Sequence, residues 1–320
     1  MSKKLLTVFG ATGNQGGSVI STILGNSTLS SQFALRGITR NTSSARAQAL
    51  ASKGVELAVA DLNKPQEIEA ALKGSYAVFA VTNYWESKSR EIEVSQGKAI
   101  ADACIAVGVK HAVFSSLPNV TKLTDGKLGH VAHFDGKSEI AEYFESVKGK
   151  TGMLSTYFMP GFYVTNFKTM IRANPQVNDG TPTLTLPWDS EKTHVPLLSP
   201  EVDTGTFVAG IVSYPEPKEL DGKYIQGVSE WSTPSKIVSE IGAAIGKEVK
   251  FNPVPEDVFM KFLPSDTAEE LTENMVLVRD YSYYGVGTEK KQGESDKVLQ
   301  PLGLKTQSVT EWAKSGSWNF

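Results

Sequence analysis

Over the first 160 residues, short apolar runs alternate with longer amphipathic stretches, a rhythm that predicts parallel strands joined by crossover helices. The apolar runs at residues 5–9, 33–39, 55–60, 77–81, 111–115 and 153–158 predict six strands. The stretches at 16–24, 44–53, 65–72, 89–107 and 131–147 carry helical spacing, with Gly54 and Pro65 punctuating a helix end and a helix start. Right-handed crossovers turn this order into an α/β fold with a doubly wound parallel sheet. After Pro160 the rhythm breaks. Residues 174–188 are rich in Pro, Thr and Asp and predict turns and short strands, and helical patterns follow at 201–212, 235–245 and 268–280. The expected division is a sheet domain over residues 1–160 and a smaller α+β domain over 161–320. The second caps the sheet, walls a cleft and is free to return some segments to the sheet.

Composition narrows the class. The 320 residues carry 32 Lys+Arg against 35 Asp+Glu, a net charge of −3, with 40% hydrophobic and 21% charged positions. These values exclude wholesale disorder, a collagen-like fibre and a disulfide-stapled miniature. Mild acidity argues against nucleic-acid binding through the overall field, which needs clustered cations. Cys104 is the single cysteine and the four histidines are scattered, so no disulfide and no metal centre is expected. The apolar run after Lys4 stops at Gly10, too short for a signal core or a membrane span. A cytoplasmic chain, with access to the nucleus, is the corresponding expectation. Triplets at Asn26, Asn41 and Asn119 fit the glycosylation pattern and are read as chance matches.

The strongest local signal is the segment from Val8 to Ile20, a strand running into a glycine turn and then a helix. Gly10, Gly13 and Gly16 are spaced GxxGxxG, which brings backbone N–H groups and a helix N-terminus up to a pyrophosphate. Thr12, Asn14 and Gln15 lie within the same turn. Dinucleotide binding is the expected use, with a structural glycine turn as the alternative. The second strand then chooses the dinucleotide: an acid at its end holds the ribose of NAD, and an arginine accommodates the 2′-phosphate of NADP. Residues 35–44 contain no acid, and Arg40 stands at the strand end with Thr39, Asn41 and Ser44 as further donors. NADP(H) is therefore expected in preference to NAD(H), the alternative being that Arg40 is simply solvated. Asp61 and Leu62, after the third strand, fit an adenine site, although a helix cap would also explain Asp61.

Several blocks together resemble the NmrA-like family, an atypical branch of the short-chain dehydrogenase/reductase superfamily. They are Gly10-Ala-Thr-Gly-Asn-Gln-Gly-Gly17, Thr39-Arg40, Thr82-Asn83-Tyr84-Trp85-Glu86, His133-Phe134-Asp135-Gly136-Lys137 and Phe158-Met-Pro-Gly161, in order along the first 160 residues. The resemblance implies a Rossmann-type sheet with a small C-terminal domain, and nicotinamide dinucleotide binding without guaranteed catalysis. Its members include a fungal regulator of nitrogen metabolism and vertebrate redox sensors, while isoflavone-reductase-like relatives are NADPH enzymes. Thr82, Asn83, Pro160 and Phe162 are expected around the nicotinamide, with Asn166 near them.

The superfamily's usual catalytic pair is Tyr-x-x-x-Lys on the helix after the fifth strand. Here Lys137 remains, as a candidate ribose contact and catalytic residue, and His133 stands in the tyrosine position on the same helix face. A histidine can carry a proton near neutral pH, and a His four residues before a Lys is also an ordinary polar face. A literal Tyr84-x-x-x-Lys88 follows the fourth strand, the wrong place for that pair. Tyr84 and Trp85 either line the nicotinamide cleft or pack the domain junction, and Tyr84 is the fallback proton donor. Ser115 or Ser116 would polarise a substrate if either faces the ring. Cys104 sits on an apolar helix stripe as a small buried hydrophobe, with a redox role as the alternative.

Two functions compete. The first is an NADP(H)-binding redox sensor whose cofactor state changes its surface for a protein partner, as the missing tyrosine suggests. The second is an NADPH-dependent reductase of a small carbonyl, quinone or aromatic substrate. A scaffold with a vestigial pocket fits an intact glycine turn poorly, and direct nucleic-acid or membrane binding is not expected.

Overall fold

The computed structural model describes residues 2–173 and 180–318. Six strands form where the apolar runs lie: β1 (Lys4–Val8), β2 (Phe33–Thr39), β3 (Glu56–Val59), β4 (Ala77–Ala80), β5 (His111–Ser115) and β6 (Leu154–Pro160). The second half of the chain adds β7 (Phe162–Tyr163), β8 (Ile171–Ala173), β9 (Pro182–Leu186), β10 (Val195–Leu198), β11 (Lys223–Gly227), β12 (Glu230–Ser232) and β13 (Lys250–Pro253). Of the stretch predicted as turns and short strands, residues 174–179 lie outside the described residues, and β9 accounts for the strand within the rest.

The central sheet has seven strands in the order β11-β6-β5-β4-β1-β2-β3, every neighbouring pair parallel. The chain leaves β1 toward β2 and β3, then returns to the other side of β1 for β4, β5 and β6. That reversal splays the connecting loops apart at the C-terminal ends of β1 and β4 and opens a crevice there. Helices cover both faces because each face of a parallel sheet is apolar. Pro65–Leu72, Arg90–Val107 and Ala132–Lys148 lie on one, and Asn14–Gly25 and Asp203–Val212 on the other.

The return of chain segments to the sheet goes beyond a single edge strand. β11 pairs with β6 over five residues, from Lys223 opposite Thr156 to Gly227 opposite Pro160, and so carries β6 two residues past its predicted end. The Asp203–Val212 helix packs so closely on Asn14–Gly25 that a Cβ at Gly205 would lie 2.3 Å from the Ser18 carbonyl oxygen. Ser18 Oγ accepts the Gly205 N–H at 2.8 Å and donates to the Val202 carbonyl at 2.8 Å, pinning the contact. The remainder builds a cap from two three-stranded sheets, β12-β10-β7 and β13-β9-β8, and the helices Pro234–Ile245, Ala268–Tyr281 and Val309–Ser315. Their shared core holds Phe162, Phe167, Trp188 and Trp312.

The asparagine triplets have a local explanation. Asn26 and Asn119 cap helices by accepting the N–H of Leu29 and Lys122, and Asn41 accepts that of Ser43 in a turn. Asn followed by Ser or Thr is ordinary cap and turn chemistry.

Candidate functional site

The glycine turn leaves β1 at the crevice. Gly10 adopts φ +60°, a left-handed conformation that favours glycine, and its carbonyl accepts the Gly13 N–H at 2.8 Å. A Cβ at Gly16 would sit 2.4 Å from the Gly10 oxygen and 2.5 Å from that of Phe9, so only glycine lets the helix start this close to the strand. Gly13 caps the twelve-residue Asn14–Gly25 helix in an extended conformation with no side-chain cap, and the first turn holds no acid. Its first N–H groups, unpartnered among the described residues, and its positive dipole end form an anion cradle. Thr12 and Asn14 border it, and the Thr12 carbonyl accepts a 3.4 Å hydrogen bond from Arg46. Gln15 turns its side chain along the crevice instead. It accepts from Ser115 Oγ at 2.8 Å and donates to the Tyr163 hydroxyl at 2.7 Å, tying the turn to the ends of β5 and β7.

At the β2 side, Arg40 is exposed and forms an ion pair with Glu86, from the short helical turn Tyr84–Ser87 after β4. Its side chain is mostly in solvent, with Glu86 as its partner. Asp61 does not cap the Pro65–Leu72 helix, whose cap residue is Lys64. Its carboxylate accepts the Asn63 N–H at 2.9 Å and the Asn63 amide at 3.0 Å. The Asn63 N–H holds the Asp61 carboxyl below its ordinary range, with smaller contributions from the Asn63 amide, Lys64 and Arg40 outweighing what burial adds. Leu62 packs partly buried against the sheet's helical core.

At the β4 and β5 side, Lys137 is buried, and its ammonium donates to Glu93 Oε1 at 2.7 Å, Thr82 Oγ1 at 2.9 Å and the Thr82 carbonyl at 3.1 Å. Those three bonds use all its protons. Thr82 Oγ1 in turn donates to the same Glu93 oxygen at 2.7 Å, while Glu93 Oε2 is buried without a partner among the described residues. Asn83 begins the exposed turn that follows.

His133 meets an acid that the first half of the chain does not contain. Glu270, on the Ala268–Tyr281 helix of the cap, accepts the His133 backbone N–H at 3.0 Å and the ring Nδ1 at 2.5 Å through Oε1. Its Oε2 accepts the Tyr84 hydroxyl at 2.9 Å. Burial alone would raise the Glu270 carboxyl, but the bonds from His133 and Tyr84 outweigh it and hold it below its ordinary value. An ionised Glu270 only accepts, so His133 Nδ1 is the donor in that bond. Nε2 has no protein partner among the described residues and is not one of the sealed polar atoms. Tyr84 is packed at the domain junction, where burial and Glu270 push its phenol well above the usual value. Trp85 lies over the His133 ring at 5.0 Å between centroids.

The remaining candidates divide. Ser115 faces Gln15 at the crevice, whereas Ser116 is turned inward to the Lys137 carbonyl. Pro160 ends β6 and its carbonyl accepts from Tyr283, while Phe162 points into the cap core against Phe167 and Trp188. Asn166 ends the short helical turn after Phe162–Tyr163. Cys104 is sealed in the core, where burial pushes its thiol up to about 12. A groove of 910 Å³ runs along Arg90–Val107 on the outer helical face, with Pro65, Lys98 and Glu139 among its walls. On the cap's surface His130 is bonded to Glu273 at 2.6 Å with Glu269 beside it, an exposed ion-pair cluster. No helix among the described residues is long and apolar enough to cross a membrane.

Four charged residues were given no role by sequence reasoning: Arg46, Glu86, Glu93 and Glu270. Glu93 alone carried a signal, since it shares the buried stripe of Gly97, Ile100 and Cys104 at helical spacing, and an acid there needs a buried cation. Glu270 reaches His133 across 137 residues and leaves no local trace.

Comparison with known proteins agrees with the architecture. The chain is 32% identical to the NmrA-like family domain-containing oxidoreductase ptmS of Penicillium ochrochloron, over 98% of this chain and 93% of that one. It is also 32% identical to the similarly named lnaB of Aspergillus flavus, over 79% and 76%. The fold matches that of NmrA, a negative transcriptional regulator solved in complex with NADP, at a TM-score of 0.79 and 21% identity, covering 98% and 95% of the two chains. The profile of the NmrA-like family spans residues 2–313. With a doubly wound parallel sheet, an uncapped helix behind its glycine turn and relatives matched nearly end to end, the chain belongs to the NmrA-like family.

Proposed function

We propose that the chain binds a nicotinamide dinucleotide across the C-terminal ends of β2, β1, β4 and β5, NADP(H) in preference to NAD(H), and works as an oxidoreductase on a small carbonyl, quinone or aromatic substrate. The observation that carries this reading is the cradle itself: a helix start with no side-chain cap and no acid, held against β1 by Gly16, where a Cβ has no room. Gly10, Thr12, Gly13, Asn14, Gln15 and Gly16 would hold the pyrophosphate, Arg40 and Arg46 the 2′-phosphate, and Asp61 and Leu62 the adenine side. Residues 1–160 supply that surface and 161–320 most of the cap.

The cofactor, when bound, supplies the hydride. The chain's part is to place a substrate and a proton. His133 suits the second task, because Glu270 holds the ring through Nδ1 and leaves Nε2 free to share a hydrogen bond or exchange a proton with a substrate. Lys137, with all three protons committed, acts as a fixed positive charge at the end of β4. Two kinds of relative support the reading: curated fungal proteins named oxidoreductases, and solved structures holding NADP or NAD.

A second reading, a cofactor sensor, is favoured by the segment after β4. Through Glu86 it holds Arg40, through Tyr84 it holds Glu270, and through Lys88 it holds Asp266 at 2.5 Å, so one segment joins the cofactor rim to the cap. Calorimetric titration with four nicotinamide dinucleotides, then NADPH consumption over carbonyls, quinones and aromatic lactones, separates the two. Turnover that His133→Ala abolishes establishes the enzyme; tight binding without turnover on any of them leaves the sensor; no binding sinks both.

A further inference from the structure

The end of β2 carries the cation expected of an NADP(H) site and no acid, yet the structure brings an acid to that cation from another element. β2 and β4 flank β1 on either side. Arg40 follows β2 and Glu86 follows β4, so their ion pair joins the two rims across the end of β1, where the glycine turn departs. The segment after β4 runs hard against that turn, with Val81 Cγ1 3.1 Å from where a Gly10 Cβ would be. Both partners are exposed, at 68% and 53% of their side-chain surface, so the pair lies open to solvent and to a ligand.

A cation at this position selects the 2′-phosphate and a carboxylate selects the ribose hydroxyl of NAD(H). Here the two stand side by side, each neutralising the other. We propose that Glu86 sets the dinucleotide preference of this chain by competing with the 2′-phosphate for Arg40, so that NADP(H) is favoured only narrowly and NAD(H) is accepted. The inference rests on the dinucleotide reading above and sharpens it. When NADP(H) enters, Arg40 exchanges one anion for another, and the loss of its pair with Glu86 offsets part of what the phosphate contact gains. When NAD(H) enters there is nothing to exchange, and the pair stays closed.

The test is calorimetric titration of NADPH, NADP+, NADH and NAD+ into wild type, Glu86→Gln, Arg40→Gln and the double variant, each checked for an unchanged melting curve. Glu86→Gln keeps the size and hydrogen bonding of the side chain and removes its charge. It should tighten NADPH and NADP+ about 3- to 5-fold, the scale of an exposed ion pair, and change NADH and NAD+ by less than about 2-fold. The gain should shrink with added salt and vanish in the Arg40→Gln background, because the effect acts through that guanidinium. An unchanged NADPH-to-NADH ratio in a folded Glu86→Gln that still binds dinucleotide overturns the role of Glu86 alone. The same gain with and without Arg40 overturns the competition. Wild type that binds none of the four overturns the dinucleotide reading and this inference with it. Should Glu86→Gln melt early, Glu86→Ser is titrated instead, with the same expected gain and the same overturning outcomes.

Discussion

The two ends of the crevice use the same chemistry in opposite settings. At the β4 end, Lys137 and Glu93 form an ion pair in which the glutamate side chain is fully buried and the lysine is 11% exposed. At the β2 end, Arg40 and Glu86 form one that is mostly in water. Burial makes the first pair dear to break, because either partner left alone is an uncompensated charge in a low dielectric. Exposure makes the second cheap to exchange, because water and salt already screen it. A cofactor site benefits from both: a fixed charge where geometry must not drift, and a releasable one where an anion has to enter.

The largest test of that contrast is Lys137→Ala. It should cost about 3–5 kcal/mol in urea unfolding, since it strands Glu93 in the core. Replacing both partners, Lys137→Met with Glu93→Leu, should recover much of the loss. A cost below about 1 kcal/mol for Lys137→Ala would put the buried pair in the same class as the exposed one and end the comparison. Any activity lost in the single variant therefore has to be read beside its stability.

Next in size is Glu270→Gln, which breaks the link between His133, Tyr84 and the cap. Hydrogen bonds to a charged acceptor contribute about 1.5–3 kcal/mol, so this variant should be less stable than wild type by that order at neutral pH. The sign with pH follows from the depressed Glu270 carboxyl. Its contribution is complete above the ordinary carboxylate value and is lost as pH falls through the lower value of the folded chain. Wild type and Glu270→Gln should therefore converge as the solution is acidified below about pH 4. A gap that stays constant down to pH 3 would show that the Glu270 charge is not what holds the junction.

These charged contacts also mark where sequence reasoning stops. Strands and crossover helices are written locally, as apolar runs and helical spacing, and β2 and β5 fall on the predicted residues. The glycine turn is legible for the same reason, since Gly10 to Gly16 carry its whole geometry within seven positions. The partners of the site residues are set by tertiary juxtaposition. Arg40 and Glu86 lie 46 positions apart, Glu93 and Lys137 44, and His133 and Glu270 137. Composition could say that acids outnumber bases slightly, and nothing in it says which acid faces which base. Asp61 shows how local the cap signal is: a helix cap is the alternative to its adenine role, and the cap is Lys64, three residues further on, while Asp61 closes a turn on Asn63.

The smallest expected effect on stability is at Arg40, and that smallness is the point. Arg40→Ala removes an exposed ion pair and no buried contact, so its unfolding free energy should stay within about 0.5 kcal/mol of wild type. Its affinity for NADPH should nevertheless fall about 10-fold, because it removes one of the two guanidinium groups proposed for the 2′-phosphate, a charge-assisted contact. NADH affinity should hardly move. The same variant thus separates two roles that Lys137 combines, since a residue whose loss changes binding without changing stability is a recognition element, not part of the frame. If Arg40→Ala lost stability and dinucleotide affinity together, or weakened NADH as much as NADPH, the β2 end would be a structural rim like the β4 end, and the exposed pair would have no separate part in cofactor choice.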